Sequence, residues 1–409
     1  MTGRGLATGG TTAARVVGPE GAEQVGMTAF VPFLVPGETA RAAIRKQSKR
    51  FLEAEVVEVQ ELSTDRVEPF CPYFGACGGC DLQHMTYEAQ LREKGAMVQG
   101  AFRAGGFSEE VLELIASVVG GNPREYRRRV ALHVQNDGSI GYFRRRSHNL
   151  LPVADCPVAV PKIREFLQSE PRLPAGFGEG TLYLEATTDQ IFGSLRLSDR
   201  PTQSTVPLLN VLESWFSGAS VDLGRPTGEE AFEWSETPRI AGEFSQANAT
   251  VNEWLVETVQ RLARKTGAKG AYDLYAGAGN FGLPLAAEEI ETVAVEVSPA
   301  LTTAGRQAAR QRGLLPKIRF RTGTVEDFLE EDPEPVDFVI ADPPRSGLGK
   351  LAERFTFSEQ LVLISCHLPS AVRDLKTLTD AGWQIVAIIP FDMFAQTTHI
   401  ELLTHLRKD

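Results

Sequence analysis

Gly270-Ala-Tyr-Asp-Leu-Tyr-Ala-Gly-Ala-Gly-Asn-Phe-Gly282 decides the fold of the second half of the chain. Gly270 to Tyr275 reads as a strand, and it feeds Gly277-Ala-Gly279-Asn280-Phe-Gly282, a G-x-G-x-x-G loop. Glycines there let backbone approach a cofactor closely, and a helix N-terminus follows. Alone the motif is weak, because the same letters serve nicotinamide enzymes. Glu296 adds to it, ending the strand Thr292-Val-Ala-Val-Glu-Val where an acidic residue would hold ribose hydroxyls. Working outward, Ala249–Thr266 reads as a helix, and further strands fall at Val336–Asp342, Gln360–Ser365 and Trp383–Pro390. His399-Ile-Glu-Leu-Leu-Thr-His-Leu follows too closely for a helical crossover, so it is predicted antiparallel. The expectation from residue 244 to 409 is an α/β, doubly wound sheet with an antiparallel last strand.

Two constellations in this half carry chemistry. Asp342-Pro-Pro-Arg345 ends a strand at the carboxyl edge of the sheet, where substrates dock and where prolines stiffen the backbone. Cys366 stands just beyond the strand ending in Ser365, and Glu401 lies in the otherwise apolar closing strand. Both belong to late strands of one sheet and can face one crevice, so Cys366 is a candidate nucleophile and Glu401 a carboxylate with a purpose.

The other cysteines call for different chemistry. Cys71, Cys77 and Cys80 are spaced C-x5-C-x2-C, with Cys156 far downstream. Three bunched thiols and a remote one fit an iron–sulfur cluster held by four thiolates. An odd total of five cysteines, with no apolar signal core at the polar, glycine-rich N-terminus, points to a reducing compartment, and the cytoplasm is expected. No apolar run reaches the length of a membrane span.

The N-terminal stretch reads as short strands at Ala14–Val17, Ala29–Phe33, Thr39–Ile44 and Ala54–Val59, which suggests a small OB-type barrel over 1–66 preceded by a frayed tail. Tyr87–Gly105 reads as a helix, and a mostly β central region runs over 67–243. A net charge of −11 argues against indiscriminate polyanion binding. Local charge differs: Arg127, Arg128 and Arg129, then Arg144, Arg145 and Arg146, flank a hairpin turning at Asn136-Asp137-Gly138. That places both triplets at one end as phosphate contacts, with Tyr126 and Phe143 beside them to stack a base.

Taken in order, these motifs resemble the RNA uracil-C5 methyltransferase family, whose bacterial members make 5-methyluridine in 23S ribosomal RNA or transfer RNA. The likeness covers nearly the whole chain: Cys71-Pro-Tyr-Phe-Gly-Ala-Cys-Gly-Gly-Cys80-Asp-Leu-Gln-His, Cys156-Pro, Phe244-Ser-Gln246-Ala-Asn, Asp273 to Phe281, Asp342-Pro-Pro-Arg, Ser365-Cys366, and Asp392 to Glu401. It implies a class I, Rossmann-like methyltransferase domain, an N-terminal TRAM-like barrel and a central region holding a [4Fe–4S] cluster on the four early cysteines. It also implies that Gln246, Tyr275, Gly277, Gly279, Asn280, Glu296 and Asp342 contact S-adenosylmethionine, with Cys366 as nucleophile and Glu401 as base. Phe244 and the six arginines would face RNA, the chain acting as a monomer with no membrane partner. Ala395 departs from the family, which usually has a proline there. Arg345 argues against cytosine-C5 and exocyclic-amine methylation, because those enzymes carry a cysteine or an aromatic residue in the matching segment. A radical enzyme and a non-catalytic RNA-binding protein with structural zinc fit the cysteine spacing less well.

Overall fold

The computed structural model describes residues 1–19, 22–199, 201, 204–222, 231–234 and 245–408. Three sheets organise them. The first is a closed barrel of β1 (Thr2–Ala7), β2 (Thr11–Arg15), β3 (Thr28–Pro32), β4 (Thr39–Gln47) and β5 (Phe51–Glu61), in the order β1-β2-β3-β5-β4. Ala14, Val16, Ala29, Val31, Leu52 and Ala54 alternate inward to fill it. The frayed tail expected at the N-terminus is corrected here: Thr2–Ala7 is the strand that closes the barrel, through Thr2 against Thr39. Its glycines hid it, and one of them is required, since a Cβ on Gly3 would come within 2.8 Å of the Val35 carbonyl.

Between the barrel and the second sheet lie α1 (Tyr87–Ala104) and α2 (Glu109–Glu113). Thr86 caps α1 by accepting from Ala89 N–H, and Val98 and Phe102 bury against Leu375 and Leu378 of the C-terminal region. The second sheet contains β6 (Arg129–Val134), β7 (Ile140–Phe143), β8 (Leu150–Leu151), β9 (Gly180–Ala186), β10 (Ile191–Leu197), β11 (Gly218–Asp222) and β12 (Ala231–Trp234), ordered β12-β11-β10-β9-β6-β7-β8. Helices α3 (Pro161–Gln168) and α4 (Val206–Trp215) pack Ile163, Leu208 and Leu212 onto its apolar face, against Leu132, Leu182 and Leu184.

The third sheet is the doubly wound one. After α5 (Ala249–Thr266) come β13 (Gly270–Leu274), α6 (Gly282–Ala287), β14 (Glu291–Glu296), α7 (Pro299–Gln311), β15 (Ile318–Thr322), α8 (Val325–Glu330), β16 (Phe338–Ala341), β17 (Gln360–Ser365), α9 (Leu368–Asp380), β18 (Gln384–Phe391) and β19 (Glu401–Arg407). The order is β15-β14-β13-β16-β17-β19-β18, and β13 to β17 are parallel. The last strand is antiparallel as expected, and it inserts between β17 and β18 rather than adding at the edge. Helices cover both faces, so central strands such as β16 are buried along their whole length. The strand β15 escaped the sequence reading. Arg319 and Arg321 alternate along this edge strand and break its apolar run.

Candidate active site

The chain leaves β13 through Tyr275, which adopts φ +62°, and turns at Gly277 and Gly279 with φ +58° and +90°. A Cβ on Gly279 would meet Leu283 and Phe320 at 2.9 Å, so close packing as well as backbone conformation calls for glycine. Two carboxylates hold the loop. Asp273, fully buried, accepts from Gly282 N–H at 2.7 Å. Glu296 accepts from Gly277 N–H at 2.9 Å and from Ser298 N–H at 2.8 Å. The loop opens on a cleft of about 800 Å³ at the carboxyl edge of the sheet, a size suited to a nucleoside cofactor. Gln246, Tyr275, Gly277, Gly279, Asn280 and Asp342 line it. Glu296 stands behind Gly277, its oxygens engaged with the loop backbone. The side chains of Asn280 and Asn252 exchange a reciprocal pair of hydrogen bonds at 2.9 and 3.0 Å, which ties the loop to α5.

The order of strands explains how Cys366 and Glu401 meet. Ser365 pairs with Leu402 across β17 and β19, so the next step along each chain sets Cys366 opposite Glu401. Asp342 follows β16, the strand adjacent to β17, and its N–H donates to Leu274 O at 3.2 Å, beside the cofactor loop. Glu401 is buried at 3% exposure, whereas Cys366 is half-buried and reachable. Burial pushes the Cys366 thiol up to about 11, with Glu401 and Asp342 adding to the rise and Arg345 opposing it. Burial, then the neighbouring Asp342, holds the Glu401 carboxyl well above the usual range. Desolvation brings Asp342 to about 7, and Asp273 reaches the same value for the same leading cause. The site therefore concentrates carboxyl groups that resist ionising together, an arrangement that favours a cationic ligand and provides a strong base.

The other four cysteines are free, partly exposed, and line one cavity together with Tyr142 and Arg127. Gly79 N–H points at Cys77 Sγ at 3.4 Å. Among the described residues, no three His, Cys, Asp or Glu side chains converge to chelate a single ion. Thiols distributed around a cavity, with a cation and N–H donors facing them, match the donor set of an anionic iron–sulfur cluster that sits between its ligands. Burial raises the Cys71 and Cys77 thiols and takes Cys80 to about 12, so ligation there would displace protons.

The arginine hairpin needs correction. Its two strands pair as expected, through His133 with Gly141 and Val134 with Ile140, but the flanking arginines diverge. Arg127 turns inward to the cysteine cavity. Arg128 Nε donates to the Gln246 carbonyl at 2.9 Å, and its side chain lines the cofactor cleft. Arg145 pairs with Asp81 at 2.6 Å and lies 4.8 Å over the Phe33 ring. Of the six, Arg144 and Arg146 are exposed, and Arg129 is partly exposed within β6. Tyr126 is buried too, its hydroxyl donating to Ala395 O at 2.8 Å, so it has no face for a base. Phe143 is stacked on His133 at 3.4 Å. Phe244 lies outside the described residues.

Sequence reading missed a buried tie between α1 and the segment leading to Glu401. Lys94 Nζ donates to Asp392 Oδ1 at 2.5 Å and to Phe394 O at 3.2 Å, and Tyr87 Oη donates to Asp392 Oδ2 at 2.8 Å. Beside them Gln90 Nε2 donates to Gln396 Oε1 at 2.9 Å, and the Gln396 backbone N–H donates to Gln90 Oε1 at 3.2 Å. Ala395, where the family has proline, is thus pinned on both flanks and at its own carbonyl.

A sheet of this order, with its cleft at the carboxyl edge, has the architecture of an S-adenosylmethionine-dependent methyltransferase. The fold matches that of the Pyrococcus abyssi tRNA (uracil-54, C5)-methyltransferase in complex with S-adenosyl-L-homocysteine, at TM-score 0.70, 21% identity and 99% coverage of each chain. No protein-family model matches. The 23S rRNA (uracil(1939)-C(5))-methyltransferase RlmD of Chromohalobacter salexigens is 32% identical, over 94% of this chain and 85% of the relative. The namesake in Halomonas elongata is 31% identical, over 93% and 85%. The chain belongs to the RNA uracil-C5 methyltransferase family and is an S-adenosylmethionine-dependent enzyme.

Proposed function

We propose that this enzyme methylates carbon 5 of a uridine in 23S ribosomal RNA through a covalent adduct on Cys366. The juxtaposition of Cys366 and Glu401 across β17 and β19, beside the cofactor cleft, carries the reading. Carbon 5 of uracil is a poor nucleophile. Addition of the Cys366 sulfur to carbon 6 makes carbon 5 an enolate carbon able to accept a methyl group. Glu401 then removes the carbon 5 proton, and elimination of the sulfur restores the ring and frees the product. A carboxyl raised by burial and by Asp342 is a better base than an exposed one, which suits this role. S-Adenosylmethionine supplies the methyl group when bound. Gln246, Tyr275, Gly277, Gly279, Asn280 and Asp342 would hold it, with Glu296 fixing the loop and turning from it to the ribose when the cofactor binds. The target uridine must leave its stack to enter the site, which favours unpaired RNA.

Four thiolates, of Cys71, Cys77, Cys80 and Cys156, would hold a [4Fe–4S] cluster with a structural or RNA-positioning role. The closed barrel fits a TRAM-type OB module, and we place the domain limits at 1–66, 67–243 and 244–409. Arg128, Arg129, Arg144 and Arg146 remain as RNA contacts. Among the described residues no helix is long and apolar enough to cross a membrane. With ribosomal RNA as substrate, the proposed enzyme acts in the cytoplasm, as a monomer. Mapping 5-methyluridine across ribosomal and transfer RNA in a deletion strain tests the assignment. Loss at one 23S position, restored by the gene but not by its Cys366→Ala variant, is expected. Loss confined to transfer RNA would refute the substrate.

A further inference from the structure

Arg127 was expected on the RNA surface, and its actual place poses an electrostatic problem. Its backbone is pinned on both sides, N–H to Val158 O at 2.8 Å and C=O from Val160 N–H at 3.0 Å, which aims the side chain into the cavity of the four cysteines. The guanidinium Nε is buried with no hydrogen-bond partner among the described residues. The cavity wall it shares carries Tyr142 and the thiols of Cys71, Cys77, Cys80 and Cys156, with Asp155 as its carboxylate. Asp155, the acidic residue on the cavity wall, is already taken by Arg164, which donates to both of its oxygens at 2.8 and 2.9 Å. Arg127 is half-buried, and a guanidinium drawn out of water on its Nε side with no carboxylate to pair it is unfavourable. The cavity therefore calls for an anion.

We infer that Arg127 is the counter-charge of the iron–sulfur cluster in this cavity, stabilising it and raising its reduction potential. The inference rests on the reading of Cys71, Cys77, Cys80 and Cys156 as cluster ligands. Net charge and donors around the sulfurs are among the chief determinants of such potentials. Adding an electron makes the cluster more anionic, so a fixed neighbouring cation favours the reduced form and its removal favours the oxidised one.

The test uses anaerobically purified full-length enzyme, with iron and sulfide analysis and a mediator titration followed by electron paramagnetic resonance. At a fixed ambient potential, Arg127→Met should show at least a tenfold lower ratio of reduced to oxidised cluster, about 59 mV for one electron. Arg127→Lys should restore most of that ratio. If Arg127→Met holds no iron yet keeps its circular dichroism and its affinity for S-adenosylhomocysteine, recovery of iron in Arg127→Lys supports the same conclusion. Equal iron and equal reduced fraction in wild type and Arg127→Met would overturn the inference. So would failure of Arg127→Lys to recover iron, which marks a shape requirement rather than a charge. A fully loaded Arg127→Met that loses RNA affinity and salt dependence would make Arg127 a phosphate contact instead. Wild-type enzyme without iron or sulfide would refute the cluster reading itself, separately from the role of Arg127.

Discussion

Removing one partner of the Lys94–Asp392 pair should destabilise the enzyme far more than removing both. The side chains of both residues are 0% exposed, and Lys94 sits 2.5 Å from Asp392 Oδ1. Burial lowers the Lys94 ammonium from its ordinary value while Asp392 opposes the drop. Lys94→Met leaves the Asp392 carboxylate with only the Tyr87 hydroxyl, and Asp392→Asn leaves a buried ammonium without a counter-charge. Breaking a buried pair in this way costs about 3–5 kcal/mol. The double variant Lys94→Met/Asp392→Asn removes both charges and should recover most of that loss, which sets the coupling at about 4 kcal/mol or more. Urea unfolding followed by tryptophan fluorescence reads the C-terminal core through Trp383, which is 3% exposed. Activity supplies a second readout, because the pair anchors the segment that ends at Glu401. Per folded molecule, the single variants should lose turnover while keeping affinity for S-adenosylhomocysteine. Single variants within about 1 kcal/mol of wild type would refute the reasoning, since that is the range of exposed pairs.

Further expectations follow from the carboxylates, the thiol and a histidine. Asp342, near 7, should ionise fully when a cationic cofactor binds. Calorimetry at pH 7 in buffers of different ionisation heat should therefore show proton release, and Asp342→Asn should reduce it. The rate of covalent addition should rise about tenfold per pH unit between pH 7 and 9, because a thiol near 11 is mostly protonated throughout that range. A rate flat across that window, in single-turnover measurements, would show that deprotonation is not what limits addition. His84 is buried and neutral, lowered to about 4 chiefly by burial. Its folded value lies below the unfolded one, so its contribution is full above about 6.5 and is lost as pH falls toward about 4, roughly 3 kcal/mol in all. His84→Gln should flatten the acid limb of a thermal-melting profile.

Much of the site was legible because its chemistry needs particular residues at particular points of a repeating fold. Strand, glycine loop, acidic strand end and Asp-Pro-Pro recur in chain order, and the short link before β19 dictated an antiparallel strand. That direction sets Glu401 opposite Cys366. The illegible parts depend on packing that composition hides. Thr2–Ala7 looked like a tail because Gly3 and Gly5 weaken its strand signal, although Gly3 is what permits closure. Arg127 and Arg145 looked like surface charges because six arginines flank a turn, and nothing in the letters separates an arginine turned into a cavity or onto a ring from one facing solvent. Lys94 belongs to a polar helix, and its burial arises only when Asp392 is brought to it from 298 residues away. Long-range contacts of this kind leave no local periodicity to read.

Turnover depends on Cys366 bonding to the substrate and on Glu401 releasing it. Incubating Glu401→Gln enzyme with target RNA and S-adenosylmethionine, followed by nuclease and protease digestion, allows the adduct to be identified by mass spectrometry. A general base contributes typically about 10²–10⁴-fold, so the adduct should accumulate within one wild-type turnover. A nucleotide is expected on the peptide containing Cys366, with the uracil already carrying the transferred methyl group. Normal release of 5-methyluridine with no adduct, or an adduct on any other residue, would rule out these roles for Cys366 and Glu401.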